Sequence, residues 1–269
     1  MNSEKESRYV IGEDDLPIVV VHGTMGKSED WSRVVEELSK FRSVIRPNYI
    51  EGPAGENSTK ELAIEDLADE VVRSVRAEGK QRFDLVGSSL GAAVATFIAA
   101  EHPEMVRSLV LVSGFSHGRD PRMNLQFKLW LSLASTDKVA FTKLLLVSGL
   151  SPRFLSAFDE SALDGIIENF IASTYWRPVE RTIRVDLSLD VRAYATRIKT
   201  QTLLITAKHD QIVPPAYSKN LVPNAKTIEL DSGHLIFLEK PIELASAILS
   251  FCQESELSVT QSRHAETGT

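Results

Sequence analysis

Short aliphatic runs recur along the chain, and most of them lack a regular alternation of apolar and polar residues. They are Pro17–Val21, Phe83–Gly87, Val106–Val112, Thr202–Thr206 and the more polar Ala225–Leu230. A strand that is apolar on both faces must be covered on both sides, which is typical of parallel sheets. Because segments with helical spacing separate the runs, we predict an α/β fold with a mostly parallel central sheet flanked by helices.

Residues 115–195 break this rhythm, because they hold helical patterns and no strand-like run. Residues 163–171 have one apolar helical face, and residues 125–133 are apolar nearly all round, which requires neighbours on two sides. We therefore predict a core formed by 8–114 and 196–254 with an inserted helical lid between them.

The two ends of the chain differ from the core in composition. The polar N-terminus lacks the apolar stretch of a secretory signal, and the residues just before Gly12 are a candidate for a short antiparallel edge strand. Residues 255–269 have too few apolar residues to pack, so we predict a disordered tail there. The single cysteine, Cys252, lies in an apolar run and is expected to pack in a helix.

Charge and hydropathy narrow the possible partners. The 30 basic and 37 acidic side chains give a net charge of −7 and form no basic stripe, so nucleic acid is not expected as a partner. The longest apolar stretch falls short of the roughly twenty residues that span a bilayer. We predict a cytoplasmic protein that acts on a small-molecule substrate; the sequence leaves its oligomeric state open.

One pentapeptide carries the strongest chemical signal, Gly87-Ser88-Ser89-Leu90-Gly91. It follows a predicted strand and precedes an alanine-rich helical segment. On such a turn a serine is held in a strained backbone conformation, small residues let the strand and helix approach, and the helix N-terminus favours developing negative charge. This context predicts that Ser89 is a nucleophile.

A serine nucleophile needs a histidine as base and an acid that orients the histidine. Of the six histidines, His234 follows the last predicted strand, where an open parallel sheet presents its site. Asp210 follows the preceding strand and is the candidate acid, with Asp231, near His234 in sequence, as its rival. The chain order Ser89, Asp210, His234 is the one expected when the three groups lie on successive strand ends of a hydrolase sheet.

The negative oxygen of a tetrahedral intermediate needs donors that are already in position. The glycine-bracketed loop His22-Gly-Thr-Met-Gly26 follows the first long strand. We expect the backbone amides of Thr24 and Leu90 to form the oxyanion hole. This chemistry requires no metal ion and no cofactor, so neither is predicted.

Four segments together resemble the α/β-hydrolase superfamily over about residues 8–254. They are His-Gly-Thr-Met-Gly, Gly-Ser-Ser-Leu-Gly, His-Asp-Gln-Ile-Val-Pro and Gly-His-Leu-Ile-Phe-Leu-Glu-Lys-Pro. The resemblance implies the same roles for Ser89, Asp210, His234, Thr24 and Leu90. A serine where dehalogenases and epoxide hydrolases of this fold carry aspartate argues against those reactions.

These observations predict a serine hydrolase that cleaves a carboxylic ester or thioester of a small to medium apolar substrate through an acyl-enzyme. The sequence also leaves open lactone opening, acyl transfer, carbon–carbon bond hydrolysis and a binding protein without turnover. The resemblance to carbon–carbon hydrolases is incomplete, because those enzymes usually carry tryptophan where this chain has Leu235, and Arg177 is only a weak match for their lid arginine. The lid offers four aromatic candidates for substrate contact: Phe127, Trp130, Phe154 and Trp176.

Overall fold

The computed structural model describes residues 16–49, 55, 61–219 and 221–267, with only the backbone from 257 onward. Within these residues the strands are β1 (Ile18–Val21), β2 (Val44–Ile45), β3 (Phe83–Ser88), β4 (Val106–Val112), β5 (Gln201–Ala207) and β6 (Lys226–Leu230). They form one sheet in the order β2-β1-β3-β4-β5-β6, and every neighbouring pair is parallel. The predicted fold class is confirmed. The candidate edge strand before Gly12 lies outside the described residues.

Helices connect the strands and cover both faces of the sheet. Those before β5 are α1 (Ser32–Leu38), α2 (Ile64–Ala77), α3 (Leu90–Glu101), α4 (Pro121–Thr136), α5 (Lys138–Gly149), α6 (Pro152–Leu155), α7 (Glu160–Ser173), α8 (Trp176–Ser188) and α9 (Arg192–Ala195). The later ones are α10 (Pro215–Ser218), α11 (Ile236–Glu239) and α12 (Pro241–Thr267), and a 3-10 helix covers Ser28–Trp31. In the described part of the chain, no helix is both long enough and apolar enough to cross a membrane.

Successive residues of the central strands point to opposite faces, and both faces are buried. In β1, Val19 and Val21 pack in the cluster that contains α2 and α3, whereas Ile18 and Val20 pack in the cluster that contains α1 and α12. All four side chains have at most 1% of their surface exposed. The absence of polar alternation in the sequence therefore has a direct cause, since neither face meets water.

Residues 115–195, the helical segment, lie between β4 and β5 in the sequence. They supply most of a third hydrophobic cluster. Helix α4 packs against α5 and α8, and its buried side chains include Phe127 and Trp130. The two expected neighbours of α4 are therefore present, but Leu125 and Leu129 are 72% and 45% exposed, so they leave part of its apolar surface uncovered. The fully buried side chains of α4 form one stripe, Leu131 and Leu133 are partly buried beside it, and Leu125 and Leu129 lie on the protein surface.

Helix α12 extends farther than the sequence indicates. It continues to Thr267 and includes most of the segment 255–269 that is predicted to be a disordered tail. Ser255 is buried and its hydroxyl donates to the Phe251 carbonyl. A helix propagates through bonds between residues four apart, so a stretch with few apolar residues can continue one that starts in the core. Cys252 lies on the buried side of this helix.

Candidate active site

Ser89 occupies the sharp turn between β3 and α3. Its backbone has φ 56° and ψ −119°, a conformation that non-glycine residues rarely adopt. The Ser89 amide donates to the carbonyl of Val112 at 2.9 Å, which ties the turn to β4. Strained backbone of this kind persists only where the surrounding structure holds it in place, and it concentrates at functional sites.

The two glycines that flank Ser89 permit this turn by their lack of a side chain. A Cβ atom on Gly87 would lie 2.1 Å from the carbonyl oxygen of Gly91, and one on Gly91 would lie 2.4 Å from that of Val21. Both distances are far below contact distance, and both neighbours are backbone atoms that cannot turn aside. The spacing of glycines around Ser89 is therefore a steric requirement of the turn.

The structure brings His234 and Asp210 together from separate loops. Nδ1 of His234 lies 2.7 Å from Oδ2 of Asp210, and both side chains are almost completely buried. The other oxygen, Oδ1 of Asp210, accepts the amides of Ile212 and Val213 at 2.9 and 2.7 Å. These bonds fix the carboxylate, and because Nδ1 is bonded to it, Nε2 is the imidazole nitrogen left to face a substrate.

Asp231, the rival acid, points elsewhere. Its Oδ1 is 2.8 Å from Nε2 of His209 at the protein surface. The hydrogen bond with His209 and the charge of Lys208 lower the pKa of Asp231. Proximity in sequence is therefore misleading here, because the neighbour of His234 along the chain is not its neighbour in space.

The loop that carries His234 is held by the helical segment. Glu239 accepts the amides of Gly233 and Ser151 through Oε1, at 3.0 and 2.7 Å, and accepts the Ser151 hydroxyl through Oε2. The Leu235 amide donates to the carbonyl of Gly149 at 3.1 Å. No local pattern marks Glu239 for this role, although it lies within the Gly-His-Leu-Ile-Phe-Leu-Glu-Lys-Pro segment.

The loop after β1 lies directly against Ser89. A Cβ atom on Gly23 would come within 3.1 Å of the Ser89 Cβ atom. Leu90 is the first residue of α3, so its amide has no acceptor within the helix. His22 is buried behind this loop with Nδ1 on the Gly23 carbonyl, and burial lowers its pKa to about 4. A neutral imidazole that braces the loop fits these observations better than a second base.

Ser89 and His234 line one cavity of about 200 Å³. Its wall is mainly apolar and comes from both the core and the helical segment: Gly23, Thr24, Met25, Gly26, Asp30, Ser88, Ser89, Trp130, Leu145, Leu146, Ile166, Phe170, Ile212, His234, Leu235, Phe237 and Leu238. Asp30 is the one acidic member of the wall among the residues that the structure describes. Burial raises its pKa, and its Oδ2 accepts the Lys27 amide at 2.8 Å.

Of the four aromatic candidates in the helical segment, Trp130 alone is part of this wall. Phe127 packs behind it in the core, Trp176 contacts Phe141 and Phe170, and Phe154 packs on Phe158. Phe170 is a wall residue that the sequence marks only as a member of a helical face. Its role depends on where α7 lies relative to the cavity of Ser89, and no local pattern encodes that position.

A sequence model of the α/β-hydrolase fold family matches residues 17–241. Pyrrolizixenacetamide deacetylase of Xenorhabdus hominickii is 38% identical over 247 residues, which is 90% of this chain and 93% of that protein. 2-Hydroxymuconate semialdehyde hydrolase of a Pseudomonas species is 27% identical and covers 90% of this chain and 88% of its own length.

The fold is also that of solved hydrolases. The crystal structure of MGS-M2, an alpha/beta hydrolase enzyme from a Medee basin deep-sea metagenome library, has a TM-score of 0.79 and covers 90% of both chains at 22% identity. Structural similarity at 22% sequence identity supports the fold. The reaction and substrate must be argued from the residues of the site.

Proposed function

Since the chain belongs to the α/β-hydrolase family, with several hydrolases among its relatives, we propose that it is a serine hydrolase acting through a covalent acyl-enzyme. Ser89 is the proposed nucleophile, His234 the base and Asp210 the acid that orients it. The observation that carries the proposal is the 2.7 Å contact of His234 with Asp210 beside the cavity that Ser89 lines.

In the first step, the Ser89 hydroxyl attacks the acyl carbon of the substrate while Nε2 of His234 takes its proton. The carbonyl oxygen becomes negative and receives hydrogen bonds from the amides of Thr24 and Leu90, the proposed oxyanion hole. His234 then protonates the leaving group as the bond to the acyl carbon breaks. The acyl group remains esterified to Ser89.

In the second step, His234 removes a proton from water, which attacks the acyl-enzyme, and the acid leaves as Ser89 regains its proton. Asp210 stabilises the imidazolium that forms in each step. The helical segment acts as a lid in this proposal, because α4, α5 and α7 supply the wall opposite Ser89 through Trp130, Leu145 and Phe170.

The cavity supports a short acyl group. Its volume of about 200 Å³ is below the roughly 300–1,000 Å³ of pockets that hold drug-sized ligands, and its wall is mostly apolar. The proposed substrates are accordingly carboxylic esters or thioesters with a small apolar acyl group. Activity should fall as the acyl chain lengthens from acetyl to octanoyl in a series with one leaving group.

Active-site labelling tests the nucleophile. A fluorophosphonate probe should label the native protein, and Ser89→Ala should abolish both labelling and ester hydrolysis. Ser88→Ala is the matched control, since Ser88 is the adjacent serine, and it should still be labelled. Labelling that persists in folded Ser89→Ala would refute the proposal.

A second candidate is hydrolysis of an acetamide, favoured by the deacetylase at 38% identity and by the small cavity. The mechanism would be the same, with an amine protonated by His234 as it leaves. Aryl acetates and the matching N-aryl acetamides distinguish the two candidates, because a deacetylase should turn over both and a dedicated esterase only the former.

Product analysis distinguishes the remaining alternatives, which are acyl transfer, lactone opening, carbon–carbon hydrolysis and binding without turnover. Release of the free acid in water argues against acyl transfer to an alcohol or amine, and ring-opened products would indicate a lactonase. Carbon–carbon hydrolysis has less support, since Arg177 is exposed and is not part of the cavity wall. Unchanged ligand after long incubation with native protein would indicate a binding protein.

A further inference from the structure

A buried carboxyl group links the helical segment to the loop after β1. Asp186 of α8 is completely buried, and its Oδ2 accepts the hydroxyl of Thr24 at 2.7 Å. The two residues are 162 positions apart in the chain. Thr24 is itself 5% exposed, so this contact is shielded from water.

A second side chain of the same helix holds the same residue. The hydroxyl of Thr182, one helical turn before Asp186, lies 2.6 Å from the carbonyl oxygen of Thr24. It is also within 3.0 Å of the carbonyls of Pro178 and Val179, but the contact with Thr24 is the shortest. Residues four apart share one face of a helix. Thr182 therefore binds the backbone carbonyl of Thr24 while Asp186, on the same face, binds its side chain.

The opposite side of the loop is held as well. The hydroxyl of Tyr49 donates to the carbonyl of His22, and the Gly26 amide donates to the carbonyl of Gly23 at 3.1 Å. The Gly26 bond holds the Gly23–Thr24 peptide, which carries the Thr24 amide. The contacts from α8 hold the Thr24 side chain and the carbonyl of the next peptide, so Thr24 is fixed on both sides of its α-carbon.

Burial of the Asp186 carboxyl group lowers the stability of the fold, so its presence here needs an explanation. Burial raises the pKa of Asp186 well above its usual value, because the charged form loses its hydration. Its Oδ1 has no hydrogen-bond partner among the described residues. A buried polar atom without a partner is destabilising, and such atoms in native structures often have a functional reason.

We propose that Asp186 and Thr182 are positioning residues for the oxyanion hole, which set the Thr24 amide at hydrogen-bond distance from the negative oxygen of the intermediate. This inference rests on the proposed function. Loss of one oxyanion donor lowers kcat by roughly 10²–10³-fold, and a donor that is displaced rather than removed loses part of that effect. The helical segment thereby takes part in catalysis from a position outside the cavity.

Asp186→Ala tests the proposal most directly. It should lower kcat by about tenfold or more while KM changes little, because the affected bond forms fully only in the transition state. The affinity for a short alkyl boronic acid, which binds a serine nucleophile as a tetrahedral adduct, should fall in parallel with kcat/KM. Asp164→Ala removes an exposed carboxylate from α7 and should change neither quantity.

Two further variants separate positioning from general structural damage. Asp186→Asn keeps an oxygen that can accept from Thr24, so it should restore most of the kcat that Asp186→Ala loses. Thr182→Val removes one hydroxyl at nearly constant volume and should lower kcat in the same direction even if Asp186→Ala folds poorly. The double variant Thr24→Val/Asp186→Ala should lose less kcat than the product of the two single-variant factors, because each substitution removes the same hydrogen bond.

Different results bear on the nucleophile and on the positioning residues. If Ser89→Ala retains activity, the proposed function fails. If Ser89→Ala is inactive but Asp186→Ala and Thr182→Val keep native kcat and native boronic acid affinity, only the positioning role is overturned. A change in KM alone, or an Asp186→Asn variant as impaired as Asp186→Ala, would also overturn it.

Discussion

Asp210 and His234 lie on loops after neighbouring strands, and their side chains meet at 2.7 Å between Oδ2 and Nδ1. The carboxyl ends of parallel strands share one edge of the sheet, so residues 24 positions apart become direct partners. Asp231, much closer to His234 along the chain, turns to the surface and binds His209.

This arrangement predicts opposite outcomes for two matched substitutions. Asp210→Asn should lower kcat by roughly 10³–10⁴-fold, because an amide neither stabilises the imidazolium nor selects its productive tautomer. Asp231→Asn changes the same group at the surface and should leave kcat near the native value. Steady-state kinetics with an aryl acetate measures both, and equal losses in the two variants would contradict the assignment of the acid.

Two glycine-to-alanine substitutions should change stability in opposite directions. Gly91→Ala forces a Cβ atom to within 2.4 Å of the Val21 carbonyl oxygen, so we expect a loss of about 3 kcal/mol or more in the free energy of unfolding. Gly165 lies inside α7 with open space around it, and Gly165→Ala should gain about 0.5–1 kcal/mol. Urea unfolding measures both, and a Gly91→Ala protein of native stability would contradict the close packing of the turn.

The buried ion pair of Asp84 and Arg107, which lie on the neighbouring strands β3 and β4, should be sensitive to loss of its acid. Asp84 of β3 accepts Nε of Arg107 at 2.8 Å and the Ser108 hydroxyl at 2.7 Å. Asp84→Ala would leave the buried guanidinium of Arg107 without its main partner, which costs about 3–5 kcal/mol in the free energy of unfolding. Glu243, paired with Lys240 at the surface, is the control, and Glu243→Ala should cost at most about 1 kcal/mol. Comparable losses in the two variants would argue against the buried pair.

The pKa of His22 predicts a dependence of stability on pH. Burial lowers this pKa to about 4, against about 6.5 in the unfolded chain, so between these values the unfolded state binds the extra proton. The native state should therefore lose up to about 3 kcal/mol from this group as pH falls from 6.5 to 4, with no contribution above that range. An NMR titration of the imidazole checks the cause directly, and a midpoint near 6.5 in the folded protein would contradict it.

The central sheet was predictable because its cause is local. Ile18 and Val20 face one layer of helices and Val19 and Val21 face the other. Because both sides of the strand are buried, consecutive residues are all apolar, and this can be recognised in a short stretch of sequence. The turn at Ser89 is local too, because a strand, two glycines and a helix occupy one short stretch of chain. The exposure of Leu125 could not be predicted in the same way, since an apolar residue on a helix carries no mark of whether a neighbour covers it.

The sequence by itself determined the fold class, the Ser89 turn and the candidate residues on the strand-end loops, since each depends on the periodicity or spacing of adjacent residues. Only the tertiary structure decided which acid meets His234, which side chains wall the cavity and how Asp186 reaches Thr24. These contacts join residues that are far apart in the chain. Their geometry depends on how whole helices pack on the sheet, and no short stretch of sequence contains that information.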